Sequence, residues 1–322
     1  MRGAVRGAEG DGLPHALVRL EPGFADRFSD AAGGFVFPGV AAGRYRLLVR
    51  QVGFLPFDSL IDVTPGMGRV SISLRRVSLT LREITVRGRA GECEAPGSPL
   101  EGPSELRQVF EQLRQNAERA RVLAETYPFR YLVERRVEVH DRRSSTTIDT
   151  VQLTSAARWP YTPGMVVTDD STVRGGRFVH LPVLADFADS AFHATHCFML
   201  AGLDDVGDDT GLVRIDFRVA RSIQYPDING SAWLDPRNYQ IRHTRVELTR
   251  VSRAVAGVRA WTAATSFREV APNILVQGTV EAITTFVSGG MTSAWSGRSE
   301  HQRLLRVDFL RPLPLGELRN GN

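Results

Sequence analysis

The sequence predicts a mainly β protein with an N-terminal seven-stranded β-sandwich, one linker helix and a large curved antiparallel β-sheet domain at its C-terminal end. Apolar and polar residues alternate along most of the chain, which is the period of a strand with one buried face. One stretch has helical spacing instead, and a segment rich in Gly, Pro and Glu precedes it. The 322 residues are enough for two domains with separate cores.

The N-terminal domain is organised around residues 30–54. In its second half, apolar residues alternate with residues that are mostly arginines, which is typical of an antiparallel strand with one solvated face. Glycines stand at the breaks between strands, where the backbone often needs a positive φ. The alternating apolar residues are Phe35, Phe37, Tyr45, Leu47 and Val49, and the glycines are Gly33, Gly39, Gly43 and Gly53.

This pattern resembles the carboxypeptidase regulatory-like domain, which implies a transthyretin-like, or prealbumin-like, seven-stranded β-sandwich over about residues 1–87. Similar modules stand at the N-termini of TonB-dependent receptors and of other bacterial envelope proteins. The matching residues are Asp30, Gly33, Phe35, Phe37, Val40, Gly43, Tyr45, Leu47, Val49, Gly53 and Phe54. The chain departs from the family where Gly12 replaces a proline and His15 replaces a glycine. The family name carries a fold and not a peptidase activity, because none of the seven histidines begins a His-x-x-Glu motif.

Residues 88–127 are predicted to form a linker and an amphipathic helix. The helix begins at Ser104 and ends before Pro128. We expect its apolar stripe to pack on the second domain, with a partner-binding helix as the alternative. The stripe consists of Leu106, Val109, Phe110, Leu113, Ala117, Ala120, Leu123 and Ala124, and the opposite face carries Glu105, Arg107, Glu111, Arg114, Glu118, Arg119 and Arg121.

Residues 128–314 are predicted to be an antiparallel β domain, followed by a polar tail over residues 315–322. Long alternating segments separated by Gly- and Asp-containing turns favour a large curved sheet. The segment 230–242 is similar, over a short length, to a hairpin of half-open β-barrel envelope proteins of the lipoprotein-carrier kind. The main alternating segments are residues 131–139, 147–153, 213–219, 241–248, 261–267, 274–286 and 304–309.

Composition argues against nucleic-acid binding and against a transmembrane span. All 40 basic residues are arginines, they are interleaved with acids, and the net charge is only +4, whereas a nucleic-acid site would need a clustered basic patch. No apolar run approaches the ~18–20 residues of a membrane span. The opening residues already read as strand and show no signal peptide. On family grounds we expect export to the periplasm or association with the outer membrane.

Two cysteines, Cys93 and Cys197, leave two interpretations open. They are two buried free thiols, since unpaired cysteine often behaves as a small apolar residue. Alternatively, they form one disulfide that ties the interdomain segment to the second domain. That disulfide would require an oxidising compartment, which links it to the expectation of export.

His193, His196 and Cys197 form the one metal-like cluster in the sequence. Zinc needs three or four protein ligands, and no second cluster supplies the rest, so we favour a structural role for these residues. The acidic stretch 204–211 has oxygen ligands suited to calcium. It lacks EF-hand spacing and is more typical of a solvated turn.

Trp159, Tyr161 and Trp233 are candidates for stacking on a ligand, although aromatic residues in strands more often belong to the core. We predict no catalytic residue and no cofactor. The sequence favours a non-enzymatic bacterial cell-envelope protein with a binding or structural role, whose partner is an envelope protein, a glycan or an apolar ligand. The alternatives are a carbohydrate-binding protein and a metal-dependent hydrolase with a site near His193 and His196.

Overall fold

The computed structural model describes residues 1–77, 92–140, 144–155, 159–170, 176–204, 209–271, 273–287 and 297–313. It confirms the mainly β class. The N-terminal strands are β1 (Arg2–Arg6), β2 (Leu17–Glu21), β3 (Arg27–Phe28), β4 (Gly34–Val36), β5 (Gly43–Arg50), β6 (Phe57–Val63) and β7 (Val70–Ser73). They form a three-stranded sheet in the order β4-β1-β7 and a four-stranded sheet in the order β3-β2-β5-β6. Residues 78–87 of the predicted sandwich domain lie outside the described residues.

The sandwich core lies between these two sheets, as the alternation predicts. Leu47 and Val49 of β5 are fully buried, whereas Arg44 and Arg46 on the other face are exposed. The ring of Phe37 meets that of Phe35 edge to face, with centroids 6.0 Å apart. Alternation along β5 therefore places one apolar face against the opposite sheet and leaves the arginines outside.

One departure from the family pattern lies in the connection between β1 and β2. His15, which stands where the family has glycine, adopts a left-handed backbone conformation with φ of +55° and is buried. Glycine adopts that conformation without steric cost, whereas a residue with a Cβ does not. His15 therefore holds a backbone conformation that glycine would adopt at lower steric cost.

Helix α1 (Ser104–Thr126) begins where the sequence predicts, and a short 3-10 helix (Pro99–Glu101) precedes it. Leu106, Val109, Phe110 and Leu113 are buried in the core of the second domain. Two residues were predicted in the wrong environment: Arg119, placed on the opposite face, is buried, and Ala120, placed in the stripe, is exposed. Gln112, Gln115 and Asn116 are buried as well. The reason is that α1 packs between the two domains, so it buries more than one stripe.

The second domain is built on one nine-stranded antiparallel sheet in the order β12-β13-β14-β15-β16-β17-β18-β8-β9. A separate hairpin, β10-β11, and two short helices complete it. The elements are β8 (Phe129–His140), β9 (Ser145–Thr154), β10 (Val167–Asp170), β11 (Gly176–Val179), α2 (Ser190–His193), β12 (His196–Leu203), β13 (Val213–Val219), β14 (Ile228–Leu234), β15 (Ile241–Leu248), α3 (Val251–Ala254), β16 (Val258–Ala271), β17 (Ile274–Phe286) and β18 (Gly297–Phe309). The predicted polar tail lies outside the described residues.

One face of this sheet changes character from one half to the other. On β13 to β15 it carries apolar residues such as Ile215, Ala232 and Val246, which pack under α1 and under residues 159–170 and 176–195, here called the covering segment. The strand registers place Arg135 on β8 and Asp149 on β9 on this same face of the sheet, and the two side chains form an ion pair. The apolar half is therefore covered and the charged half is not part of that core.

The described residues contain no helix that is both long and apolar enough to cross a membrane.

Candidate functional site

The structure separates the three side chains predicted for ligand stacking. Trp233 is only 6% exposed, its Nε1 donates to Asp204 Oδ2 at 2.9 Å, and its ring stacks on His243. Tyr161 is buried, and its hydroxyl donates to Asp227 Oδ2 at 2.6 Å. These two rings are therefore packed inside the protein. Of the three, only Trp159 presents its ring to solvent, with 43% exposure.

Trp159 has an aromatic neighbour that the sequence did not single out. Phe178 on β11 is 42% exposed, and the two rings meet edge to face with centroids 5.9 Å apart. We call this pair the aromatic surface. Trp159 also contacts the ring of His180, which is buried and lies 3.0 Å from Asp186 through Nε2 and Oδ2. Trp159 thus packs against the ring of a histidine that is itself paired with a buried aspartate.

Where the covering segment meets the sheet, four polar side chains form a buried cluster, namely Tyr161, Thr195, His196 and Asp227. The Tyr161 hydroxyl lies 2.8 Å from Thr195 Oγ1, which lies 2.9 Å from His196 Nδ1. His196 Nε2 contacts the Ile228 carbonyl at 3.0 Å. Each polar group therefore has a partner inside the protein, as buried polar groups require.

Burial favours the neutral forms of the ionisable groups in this cluster. It lowers the pKa of His196, although the nearby Asp227 carboxylate acts in the opposite direction. It raises the pKa of Asp227, against the effect of His196 and of the Tyr161 hydrogen bond. Burial and the adjacent Asp227 also raise the pKa of Tyr161, so that hydroxyl keeps its proton. The cluster is a closed hydrogen-bond network.

The predicted metal candidates are used in other ways. His193 Nε2 contacts the Phe187 carbonyl at 2.9 Å, and both ring nitrogens of His196 face backbone carbonyls. The sulfur of Cys197 is bonded to Cys93, so it cannot act as a thiolate ligand as the metal interpretation required. Across the described residues, no group of three or more His, Cys, Asp or Glu side chains is placed to hold a metal ion.

Cys93 and Cys197 form a disulfide with Cα atoms 5.5 Å apart. Of the two interpretations that the sequence left open, the structure therefore contains the second. Arg221 also donates its backbone N–H to the Cys93 carbonyl at 2.8 Å, so the interdomain segment is held next to the end of β13. The bond joins the chain before α1 to the edge strand β12.

The acidic stretch that suggested calcium is engaged with cationic and aromatic side chains where it is described. Asp204 Oδ2 lies 3.4 Å from Arg214, besides accepting from Trp233. Asp209 lies 3.1 Å from His243 and 3.3 Å from Arg245. Residues 205–208 lie outside the described residues. The acids at both ends of this stretch therefore neutralise cations on the outer face of the sheet.

A buried arginine connects α1 to both domains. Arg119 donates from Nε and Nη2 to the His15 carbonyl at 2.9 and 2.8 Å, and from Nη1 to the Asn273 carbonyl at 3.1 Å. We call Arg119, His15 and Asn273 the interdomain joint. Burial lowers the pKa of Arg119 to about 10, so the guanidinium remains charged at neutral pH. The single guanidinium of Arg119 thus holds the sandwich, the helix and the β16-β17 turn together.

An open cavity of about 270 Å³ lies next to this joint, between the two domains. Its lining includes Gln51, Phe54 and Arg76 from the sandwich and Arg237 and Asn273 from the second domain. The Arg76 guanidinium stands 5.0 Å from the centroid of the Phe54 ring.

Residues 1–75 match the family model of the carboxypeptidase regulatory-like domain. The N-terminal domain is a carboxypeptidase regulatory-like domain. This confirms the resemblance read from the sequence, over a somewhat shorter range. No curated protein sequence matches the chain.

The solved structures similar to the chain include the following two. One is a LolA superfamily protein from Nitrosomonas europaea, with 12% identity, a TM-score of 0.30, and coverage of 65% of this chain and 94% of that one. The other is a putative membrane-associated protein of unknown function from Bacteroides fragilis, with 13% identity, a TM-score of 0.17, and coverage of 94% of both chains. Both TM-scores indicate distant similarity.

Sequence reasoning missed the residues that hold the carboxypeptidase regulatory-like domain in place. Arg119 was assigned to the solvated face of α1, because an arginine among glutamates on a helix is ordinarily exposed. The departure at His15 gives no signal of this contact, because Arg119 binds the backbone carbonyl, which a glycine would also present. Asp227 was missed because residues 226–230 resemble a Pro- and Gly-containing turn in sequence, where aspartate is common for local reasons, whereas β14 begins at Ile228.

Proposed function

We propose that this chain is a non-enzymatic protein of the bacterial cell envelope that binds its ligand at the aromatic surface formed by Trp159 and Phe178. The observation that carries the proposal is the contrast between exposed and buried groups. Trp159 and Phe178 present their rings to solvent, whereas His193, His196 and Asp227, which could otherwise transfer protons, are hydrogen-bonded within the core. Such an arrangement suits binding better than acid–base catalysis.

The disulfide supports an envelope location. Structural disulfides persist in oxidising compartments such as the bacterial periplasm and are rare in the cytosol. Here both cysteines of the chain take part in one disulfide between the interdomain segment and β12. The carboxypeptidase regulatory-like domain adds to this support, because the sequence resemblance places such modules in envelope proteins.

The N-terminal domain acts in this proposal as a fixed module. Arg119 joins it to the second domain, and Arg19 adds an ion pair of 3.4 Å to Glu118 on α1. A domain held in this way keeps a constant orientation relative to the aromatic surface. It therefore serves stability or docking to an envelope partner rather than movement during binding.

A carbohydrate ligand is the second candidate, and the geometry of Trp159 favours it. Aromatic rings with an exposed face bind sugars by stacking, and polar groups at their edge fix orientation. The exposed ring of Trp159 and its neighbour Phe178 provide such a face. An apolar ligand would use the same rings without the polar edge, so both ligand classes depend on Trp159.

The experiment compares two probes on the full chain. Purified peptidoglycan sacculi are used in co-sedimentation as a carbohydrate probe, and N-phenyl-1-naphthylamine fluorescence reports an apolar site. We expect the wild-type chain to bind one of them and Trp159→Ala to weaken that binding at least tenfold. Leu60→Ala, which truncates an exposed apolar side chain on β6, is the matched control and should bind like the wild type.

Two results would contradict the proposal. If the wild-type chain binds neither probe, or if Trp159→Ala binds as tightly as Leu60→Ala, the aromatic surface is not the ligand site. Zinc that co-purifies at one ion per chain, together with turnover of an ester or peptide substrate, would instead support the metal-dependent hydrolase. Far-ultraviolet circular dichroism of each variant verifies that the sheet is intact.

A further inference from the structure

The two edges of the nine-stranded sheet differ in how they are protected. An open edge strand exposes unpaired backbone N–H and C=O groups that can pair with another strand. Proteins therefore protect such an edge with bulges, charges, proline, or a helix or loop that lies over it. The β12 edge has a register shift between Leu200 and Gly202 and is tied to Cys93 through Cys197. That edge is both distorted and covalently tethered.

Within the described residues, the β9 edge carries neither a register shift nor a proline. Its ten residues, Ser145–Thr154, pair with β8 without a register shift, and no other described strand pairs with β9. The sequence STTIDTVQLT contains no proline, lysine or arginine, and it is rich in the β-branched residues that favour strands. Its single charge, Asp149, is already paired with Arg135 on β8.

We propose that two copies of this chain pair along β9 in antiparallel orientation, which joins the two nine-stranded sheets into one continuous sheet. A second copy fits because the strand is self-compatible in charge. Any antiparallel self-pairing places one residue opposite its own copy at the two-fold axis. Centring the axis on Asp149 would oppose two carboxylates, which is unfavourable.

The exposure of Ile148 favours the register in which the two-fold axis lies at Ile148, one residue before Asp149. Ile148 is 61% exposed on the outer face of the sheet, so a pairing that covers it would bury a large apolar side chain. Centring the axis on Ile148 places it opposite its copy and brings Asp149 opposite Thr147. The pairing then satisfies backbone groups along the strand and covers the exposed Ile148 side chain. A contact of one strand is small, so we expect micromolar self-association.

Disulfide trapping tests this register. The native cysteines are already bonded to each other, so an introduced cysteine is the single free thiol. Directly opposed residues of antiparallel strands have Cα atoms about 4.5–5.5 Å apart, which suits a disulfide. Under mild oxidation Ile148→Cys should give a covalent dimer on a non-reducing gel.

Two controls separate this pairing from random collision. Ile283 lies on the same face of the sheet and is 49% exposed, but it belongs to the interior strand β17. The Ile283→Cys variant should therefore remain monomeric. Thr146→Cys lies on β9 two residues from the axis, so its two copies stand too far apart to bond in this register.

Sedimentation of the chain without introduced cysteines gives the second readout. We expect concentration-dependent dimerisation that Ile148→Lys weakens at least tenfold, because it places two like charges at the axis. A wild-type chain that stays monomeric at about 200 μM, or equal cross-linking of Ile148→Cys and Ile283→Cys, would overturn the proposal. Equal cross-linking of Ile148→Cys and Thr146→Cys would overturn the register and with it the symmetric pairing proposed here.

Discussion

Replacing Arg119 with methionine should destabilise the protein and uncouple its two domains. The change removes three hydrogen bonds, two to the His15 carbonyl and one to the Asn273 carbonyl, and keeps most of the side-chain volume. The Asn273 carbonyl keeps a second donor, Gln240 Nε2 at 3.2 Å. The His15 carbonyl loses both donors from Arg119, so most of the effect arises there.

The magnitude follows from these contacts. A hydrogen bond from a charged donor contributes about 1.5–3 kcal/mol, and the cost of burying the guanidinium without a carboxylate offsets part of the total. We therefore expect Arg119→Met to lower the free energy of unfolding by about 2–4 kcal/mol. Because Arg119 bonds to both domains, calorimetry should show the sandwich unfolding before the second domain in this variant.

Arg121→Met is the matched control on the same helix. Arg121 forms ion pairs with Glu118 and Glu125 on the exposed side of α1, and such surface pairs contribute little. Its removal should change the free energy of unfolding by less than about 0.5 kcal/mol. If urea denaturation shows Arg119→Met within about 0.5 kcal/mol of Arg121→Met, and calorimetry still shows a single transition, the account of the interdomain joint is wrong.

Three further predictions concern the disulfide, the domain contact and the pH dependence. Exchanging Cys93 and Cys197 together for serine opens a loop of 104 residues and should cost about 4–5 kcal/mol in urea denaturation; an unchanged midpoint would contradict this. Gly53 has φ of +79°, and a Cβ added there would lie 2.8 Å from the Arg237 carbonyl oxygen, whereas Gly66 has φ of +78° and no close neighbour. Gly53→Ala should therefore lower the melting temperature more than Gly66→Ala does. Equal decreases in melting temperature would exclude the interdomain clash. Burial lowers the pKa of His193 and of His243 in the folded chain. In the unfolded chain both histidines have the usual histidine pKa of about 6.5, so near and below that pH the unfolded chain binds more protons than the folded one. The free energy of unfolding should therefore fall as pH drops from 7.5 to 5.5. A variant with glutamine at both histidines should show a shallower fall, and a slope equal to that of the wild type would contradict the assignment.

Strand positions could be predicted because alternation is a local signal. The bounds of β13, β15 and β17 coincide with the alternating segments, since each strand has one face on the core and one on solvent. The carboxypeptidase regulatory-like pattern was equally local, because its glycines mark positions such as Gly33 and Gly53 with positive φ.

The site could not be predicted in the same way, because it depends on what covers each face. Trp159, Tyr161 and Trp233 look alike in sequence, and only the placement of the covering segment and of Asp204 decides that Trp159 is exposed while the other two are buried. Arg119 and Ala120 were assigned to the wrong environments for the same reason. A helix that packs against two domains has no single polar face, and the hydrophobic pattern alone does not reveal the second contact.

Thiol trapping in fractionated cells tests the envelope account most directly. The full-length native gene is expressed, cells are separated into cytosolic, periplasmic and outer-membrane fractions, and free thiols are alkylated before and after reduction. We predict no free thiol before reduction and two after it, with the protein in the periplasmic or outer-membrane fraction. Two free thiols in protein recovered from the cytosol would contradict both the disulfide and the proposed location.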